Sequence, residues 1–213
     1  MTGPAVTTLS SEDLLTRAPV MPVVVLGDPA GAVPLARALL AGGIPVIEVT
    51  LRTPGALEAI RLISENVPDV IVGAGTVTSP RLAGQAVEAG ARFLVSPGST
   101  DQLLDAMADT GVPFLPGAAS VSEAMRVLER GRHEMKFFPA EACGGRTFLQ
   151  AVATVLPGAR FCPTGGITPA TAPLYRELPN VGCVGGTWLT PQDAIATRNW
   201  AAIEKLAAEA SQG

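Results

Sequence analysis

The sequence predicts an α/β fold, a (β/α)8 TIM barrel with a leading N-terminal helix. Short, continuously apolar segments alternate with segments of helical periodicity, and this strand-then-helix unit recurs eight times along the chain. The apolar segments lack a polar face, which is typical of parallel strands covered on both sides. Eight units in 213 residues favour one closed barrel, spanning residues 1–213, over an open doubly wound sheet.

The N-terminal half begins with a capped helix and continues with three strand-then-helix units. Ser10 and Asp13 precede Leu14 with the spacing of a helix N-terminus. The pairs Thr53–Pro54 and Ser79–Pro80 are typical of an N-cap followed by a first-turn proline. The predicted strands are residues 20–26, 45–51 and 70–77, and the predicted helices are residues 32–40, 53–66 and 79–90.

Five more units complete the predicted barrel. The pairs Thr168–Pro169 and Thr190–Pro191 predict the starts of the last two helices, the second of which is long. The predicted strands are residues 93–96, 113–115, 133–140, 160–164 and 181–184. The predicted helices are residues 99–111, 120–131, 145–155, 168–178 and 190–210.

The composition excludes several classes of protein. The net charge at pH 7 is −4 and no basic cluster is long enough to bind nucleic acid. The three cysteines form no C-x-x-C pair, which is typical of free thiols in a reducing compartment. The single histidine excludes a multi-histidine metal site, and we expect neither a metal nor an organic cofactor. No signal peptide or membrane span is evident, so we expect a cytoplasmic protein.

A lysine lies in the middle of the sixth predicted strand. Because strand side chains alternate, Lys136 shares a face with Glu134 and Phe138. Desolvation among apolar groups lowers the pKa of an ammonium group and makes the amine available for attack on a carbonyl. The alternative is a structural lysine whose amine reaches solvent.

Further polar groups are expected at the carboxyl ends of the strands, where barrels of this class place their active sites. Glu48 and Arg52 follow the same alternation in the second predicted strand. A glutamate in an apolar strand is costly unless it is paired or catalytic, and the structural alternative is an ion pair with Arg52 or Lys136. Thr76 places a hydroxyl near the rim of the third strand.

Two glycine pairs end the seventh and eighth predicted strands. They are Gly165–Gly166 and Gly185–Gly186, and the second is followed by Thr187. Loops after these strands commonly bind phosphate in barrels, because glycines let backbone N–H groups approach an anion closely. Either pair alone is also compatible with a plain turn.

Together, these groups favour a metal-independent aldolase. A lysine amine forms an imine with a ketone or aldehyde, and the protonated imine stabilises a carbanion on the adjacent carbon. A neighbouring carboxylate can move the protons that this chemistry requires. An arginine offers two parallel hydrogen bonds to a substrate carboxylate.

Five segments resemble the 2-dehydro-3-deoxy-6-phosphogluconate (KDPG) and 4-hydroxy-2-oxoglutarate (KHG) aldolase family. The resemblance runs in matching order from about residue 20 to residue 189. The segments are residues 47–53 (IEVTLRT), 73–77 (GAGTV), 135–141 (MKFFPAE), 163–167 (PTGGI) and 185–189 (GGTWL). The KDPG enzymes are class I, Schiff-base aldolases of the Entner–Doudoroff pathway.

The resemblance implies a homotrimer of barrels that cleaves a keto-acid sugar phosphate to pyruvate and glyceraldehyde 3-phosphate. It implies that Lys136 forms the imine and that Glu48 is the general acid and base. The other implied roles are binding of the substrate carboxylate by Arg52 and Thr76, lining of the pocket by Pro97 and Phe138, and binding of phosphate by Thr164, Gly165, Gly166, Gly186 and Thr187. The family most often has serine where this chain has Thr187, so the added methyl group puts the specificity for the substrate tail in question.

Several alternatives stay open at this point. A sister aldolase would prefer KHG, which has no phosphate, or the galactonate-derived epimer of KDPG. A non-catalytic sugar-phosphate-binding barrel would have to tolerate Lys136 and Glu48 for no purpose, which their burial cost disfavours. A metal-dependent pyruvate aldolase is disfavoured because the sequence lacks paired histidine or carboxylate ligands.

Overall fold

The computed structural model describes residues 9–212. Residues 1–8 and 213 lie outside this range, so the expectation of no signal peptide and the two ends of the predicted 1–213 domain also extend outside it. Among the described residues, no helix combines the length and the apolar character needed to span a bilayer.

Parallel strands form the centre of the molecule. Within residues 9–212, six strands pair in the order β5-β4-β3-β2-β1-β9 and three pair in the order β6-β7-β8. Isolated parallel bridges connect Phe161 with Val181 and Thr164 with Gly185, and so link the end of the second sheet to the first. The strands are β1 (Val20–Val24), β2 (Val46–Thr50), β3 (Ile71–Gly75), β4 (Leu94–Val95), β5 (Phe114–Leu115), β6 (Gly117–Ala118), β7 (Glu134–Phe137), β8 (Arg160–Pro163) and β9 (Val184–Gly186).

Helices connect the strands and pack on them. Buried aliphatic residues from both element types form one continuous core. The α-helices are α1 (Ser11–Thr16), α2 (Ala32–Ala41), α3 (Ala56–Asn66), α4 (Pro80–Glu88), α5 (Asp101–Asp109), α6 (Val121–Glu129), α7 (Gly145–Val155), α8 (Ala172–Arg176), α9 (Gln192–Ala196) and α10 (Trp200–Ser211). The chain is therefore an α/β protein with a curled parallel sheet, as the alternation of elements predicted.

Two predicted caps are confirmed in detail. Ser10 accepts a hydrogen bond from the backbone N–H of Asp13, and the Asp13 carboxylate accepts one from the backbone N–H of Ser10. This reciprocal arrangement is a capping box. Ser79 caps α4 through the backbone N–H of Leu82, with Pro80 in the first turn.

Several predicted boundaries are wrong. Helix α3 begins at Ala56 rather than at residue 53, because the Thr53 hydroxyl donates to the carbonyl of Leu26 at 2.6 Å instead of capping the helix. The long final helix is interrupted: Arg198 adopts φ 54°, and the Asn199 side chain then caps α10 through the backbone N–H of Ala202. Helix α8 begins at Ala172 rather than at residue 168, and the last strand, β9, spans Val184–Gly186 rather than residues 181–184. The fifth predicted strand ends at Leu115, and the separate strand β6 follows it.

Candidate active site

The structure brings Lys136 on β7 and Glu48 on β2 into contact in the interior. The Nζ atom of Lys136 lies 3.1 Å from Oε1 and 3.5 Å from Oε2 of Glu48. Lys136 is only 6% exposed and Glu48 only 1%. Because removing two charges from water is costly, a buried pair of this kind is weak evidence for a stabilising role. The contact supports a chemical use for the amine and the carboxylate.

Gly75 on β3 makes room for the Glu48 carboxylate. Strands β2 and β3 pair in parallel with Thr50 opposite Gly75, so the carboxylate reaches over the adjacent strand. A Cβ atom at Gly75 would overlap the Glu48 carboxylate. Gly75 lies in the segment 73–77 that resembles the aldolase family, but nothing in the sequence indicates its role. The side chain that needs this space is 27 residues away along the chain.

Arg52 and Thr76 lie together just beyond the ends of β2 and β3. The Nε–H of Arg52 donates to the Thr76 hydroxyl at 3.3 Å, and Arg52 is exposed. Thr76 adopts φ 58°, a backbone region that β-branched residues rarely occupy, and such outliers concentrate at functional sites. Among the described residues, the ion-pair partner of Glu48 is Lys136 and not Arg52.

Phe138 and Pro97 lie beside the lysine strand. The Lys136 ammonium group is 5.6 Å from the centre of the Phe138 ring, within the range of a cation–π interaction. Gly117 pairs with Lys136 in register, and a Cβ atom at Gly117 would overlap the carbonyl of Pro97. The half-buried Pro97 is therefore held close to the strand that carries the amine.

The end of β8 combines one buried hydroxyl with a glycine turn. The Thr164 hydroxyl is buried and donates to the Cys162 carbonyl at 3.3 Å. Gly165 and Gly166 adopt φ 104° and 83°, which favours glycine at both positions. Gly165 and Gly166 belong to no helix or strand, and among the described residues 9–212 their N–H groups donate to no backbone carbonyl. These N–H groups can therefore serve an anion.

The end of β9 lies next to this turn. The bridge between Thr164 and Gly185 joins the two strand ends, and Thr187 is exposed immediately beyond them. Gly186 is buried, and a Cβ atom there would overlap the indole ring of Trp188. The sequence-predicted phosphate residues thus come from two adjacent strand ends.

A hydrogen-bonded pair that sequence analysis did not single out lies behind the glycine turn. The hydroxyl of Tyr175 on α8 donates to Oε1 of Glu141 at 2.6 Å. Burial, followed by the hydrogen bond to Glu141, raises the pKa of Tyr175 well above its usual value. Glu141 falls within the family segment 135–141, which was the only sequence signal for it.

Two buried thiols also lie in the interior. Cys162 and Cys183 are free and almost completely buried. The hydrogen bond with Cys162, together with burial, raises the pKa of the Cys183 thiol well above its usual value. The shift favours the protonated thiol, which is less nucleophilic than the thiolate.

The arrangement suits carbonyl chemistry at a buried amine. Within residues 9–212, no group of three or more His, Cys, Asp or Glu side chains is placed to hold a metal ion. The amine and the carboxylate are in hydrogen-bond contact, which is the geometry required for proton transfer between them.

Comparison with protein families identifies a match over nearly the whole chain. The family described as "KDPG and KHG aldolase" matches residues 11–206. The KHG/KDPG aldolase of Escherichia coli K12 is 50% identical over 204 residues, which is 96% of this chain and 96% of that protein. The 2-dehydro-3-deoxy-phosphogluconate aldolase of Pseudoalteromonas atlantica is 49% identical over 96% of this chain and 95% of that protein.

Solved structures give the same result. The KDPG aldolase of Legionella pneumophila, with pyruvate captured as a covalent carbinolamine intermediate, matches with a TM-score of 0.93 and 47% identity over 95% of this chain and 98% of that chain.

Proposed function

The chain belongs to the KDPG and KHG aldolase family, and we propose that Lys136 and Glu48 are the catalytic residues with which it acts as a class I, metal-independent aldolase. The reaction is cleavage of KDPG to pyruvate and glyceraldehyde 3-phosphate, a step of the Entner–Doudoroff pathway. The observation that carries the assignment of residues is the 3.1 Å contact between the buried amine and carboxylate. The carbinolamine described for the Legionella relative supports covalent chemistry at a lysine.

Bond formation begins at Lys136. Glu48 accepts a proton from the ammonium group, and the neutral Nζ attacks the C2 carbonyl carbon of the substrate. The carbinolamine loses water to give a protonated imine, which accepts an electron pair from the neighbouring carbon. Because Glu48 is within hydrogen-bond reach of Nζ, one carboxylate can move the protons of both steps.

Bond cleavage uses the same two residues. Glu48 removes the proton from the C4 hydroxyl, directly or through one water, and the C3–C4 bond breaks. The electron pair of that bond moves into the imine to give an enamine, and glyceraldehyde 3-phosphate leaves. Protonation at C3 and hydrolysis of the imine then release pyruvate and restore the lysine amine.

The two ends of the substrate are bound by different groups. Arg52 and Thr76 bind the carboxylate, and Pro97 and Phe138 line the pocket around the pyruvyl carbons. The phosphate is held by Thr164, Gly165, Gly166, Gly186 and Thr187. The contact between Arg52 and Thr76, and the positive φ angles of Gly165 and Gly166, support this orientation.

We also propose the assembly that the family resemblance implies. The chain forms one (β/α)8 barrel domain, closed where Phe161 bridges Val181 and Thr164 bridges Gly185, and three copies form a cytoplasmic homotrimer. The parallel bridges from Phe161 and Thr164 support closure. A sedimentation experiment measures the trimer, and a mass of one or two chains contradicts it.

A substrate panel tests the proposed function. The purified protein is offered KDPG, KHG and the galactonate-derived epimer, and pyruvate release is measured for each. We expect the highest kcat/KM for KDPG. A higher value for KHG would assign the chain to the sister activity, which the combined name of the E. coli relative also allows. No pyruvate from any of the three would favour a binding protein.

A further inference from the structure

We propose that Glu141 and Tyr175 form a positioning pair that fixes the Gly165–Gly166 turn relative to Lys136 and thereby sets the affinity for the phosphate end of the substrate. This inference rests on the function proposed above. It assigns a role to two side chains that lie behind the glycine turn and take no part in the chemistry at the amine.

Backbone hydrogen bonds attach the turn to the chain that follows the lysine strand. The N–H of Thr164 donates to the carbonyl of Phe137 at 2.9 Å, and the N–H of Ala140 donates to the carbonyl of Thr164 at 2.8 Å. The N–H of Glu141 then donates to the carbonyl of Gly165 at 3.1 Å. The position of Glu141 therefore affects the turn directly.

The Glu141 side chain also packs against the turn. A Cβ atom at Gly166 would lie 2.6 Å from Cγ of Glu141, so the side chain lies directly beside the Gly166 backbone. On its other side, the carboxylate accepts the hydrogen bond of Tyr175, whose side chain is 1% exposed and cannot easily move. The Glu141 side chain therefore lies between the Tyr175 hydroxyl and the glycine turn, and the hydrogen bond from the hydroxyl fixes its position.

The anchor also controls where a negative charge lies. A Cβ atom at Gly145, the first residue of α7, would lie 2.8 Å from the Tyr175 hydroxyl and 3.5 Å from Oε2 of Glu141. The carboxylate is therefore held at the N-terminus of an 11-residue helix, where a negative charge is favoured. Without the hydroxyl, the carboxylate can rotate toward the turn and repel a phosphate dianion.

The state of the hydroxyl supports this role. Because burial and the hydrogen bond to Glu141 raise the pKa of Tyr175, the phenol stays protonated and remains a donor at the pH values at which enzymes of this kind are assayed.

Tyr175→Phe tests the proposal because it removes only the hydroxyl. We expect KM for KDPG to rise about tenfold, the usual effect of losing one hydrogen bond to a charged group. We expect kcat/KM for KHG and the rate of imine formation with pyruvate to stay within about twofold of the parent values, because neither compound carries a phosphate. We expect the same of kcat for KDPG, because the Tyr175 hydroxyl does not contact the amine or the carboxylate at which the chemistry occurs. Glu141→Gln, which keeps an acceptor for Tyr175, should raise KM for KDPG less than Glu141→Ala.

Glu177→Gln is the matched control. It removes the 3.5 Å ion pair between Glu177 and Arg146, another contact between the α7 and α8 regions, without touching the turn. We expect it to leave KM for KDPG unchanged. The proposal is overturned if Tyr175→Phe leaves KM for KDPG unchanged, or if KDPG and KHG decline in parallel.

Thermal unfolding of each variant shows whether it has a folding defect. If Tyr175→Phe has such a defect, the comparison of Glu141→Gln with Glu141→Ala tests the proposal in its place. Equal KM values for KDPG in these two variants would overturn the proposal. Failure of the parent protein to form an imine with pyruvate would instead contradict the proposed function itself.

Discussion

The amine of Lys136 lies 3.1 Å from the carboxylate of Glu48, and both side chains are almost completely removed from solvent. The two residues are on strands that are not neighbours in the sheet order, so their side chains meet across the interior. Replacing such a pair with apolar residues is often neutral or stabilising. We propose that the pair serves proton transfer between a nucleophile and its base.

Glu48→Gln should reduce turnover of KDPG by about a hundredfold or more, because the amide keeps the shape of the side chain but cannot accept a proton. Reduction with borohydride should still attach pyruvate to the variant, though more slowly. Glu58→Gln, at an exposed glutamate paired with Arg61 on α3, should have no effect. Near-normal turnover in Glu48→Gln would assign Glu48 a purely structural role.

Gly75→Ala should displace the Glu48 carboxylate, because the added methyl group occupies its position. We expect a loss of about 1–3 kcal/mol in the free energy of unfolding in urea, the usual cost of overpacking, together with a large fall in kcat. In the control Gly84→Ala the methyl group meets nothing within 4 Å in α4, so stability should rise by up to about 1 kcal/mol. Unchanged activity in Gly75→Ala would contradict the close packing around Glu48.

Thr187→Ala should lower kcat/KM for KDPG by about ten- to a hundredfold, because one hydrogen bond to the phosphate is lost. KHG carries no phosphate, so its kcat/KM should change little. Thr187→Ser keeps the donor and should retain most of the activity on KDPG. Substitution of Gly186 is a poorer test, since its side chain would displace Trp188. Equal losses on KDPG and KHG in Thr187→Ala would remove Thr187 from the phosphate site.

Arg52→Lys should raise KM for KDPG and for KHG by a similar factor, about tenfold or more, because both carry the carboxylate that a planar guanidinium binds with two hydrogen bonds. The pyruvate concentration needed for half-maximal trapping should rise equally. Arg81→Lys, at an exposed arginine on α4, is the control. An effect on KDPG alone would place Arg52 near the phosphate instead.

Periodicity and local residue types were sufficient to predict the alternating α/β architecture. Lys136 and Glu48 could be selected because charged residues are costly in apolar strands. The choice between Arg52 and Lys136 as the partner of Glu48 could not be made, because β2 ends at Thr50 and Arg52 no longer follows the alternation of the strand.

Two of the remaining differences depend on contacts between residues that are distant in sequence. Thr53 bonds to Leu26 instead of capping α3, and the hydroxyl of Tyr175 reaches a carboxylate 34 positions earlier in the chain. The break between α9 and α10 occurs where Arg198 adopts a positive φ, and the presence of an arginine does not predict this conformation. Propensities describe neighbours along the chain, and the contacts of Thr53 and Tyr175 join residues that are far apart in it.

Trapping with pyruvate and borohydride tests the central claim most directly. The chain has two lysines, Lys136 and Lys205, and the second is an internal control because its side chain is 79% exposed. We expect the mass of one reduced pyruvyl group, located on Lys136 by peptide mapping. Lys136→Arg should prevent both labelling and KDPG cleavage, since a guanidinium stays protonated, whereas Lys205→Arg should affect neither. A label on Lys205, or no label while cleavage continues, would contradict the account.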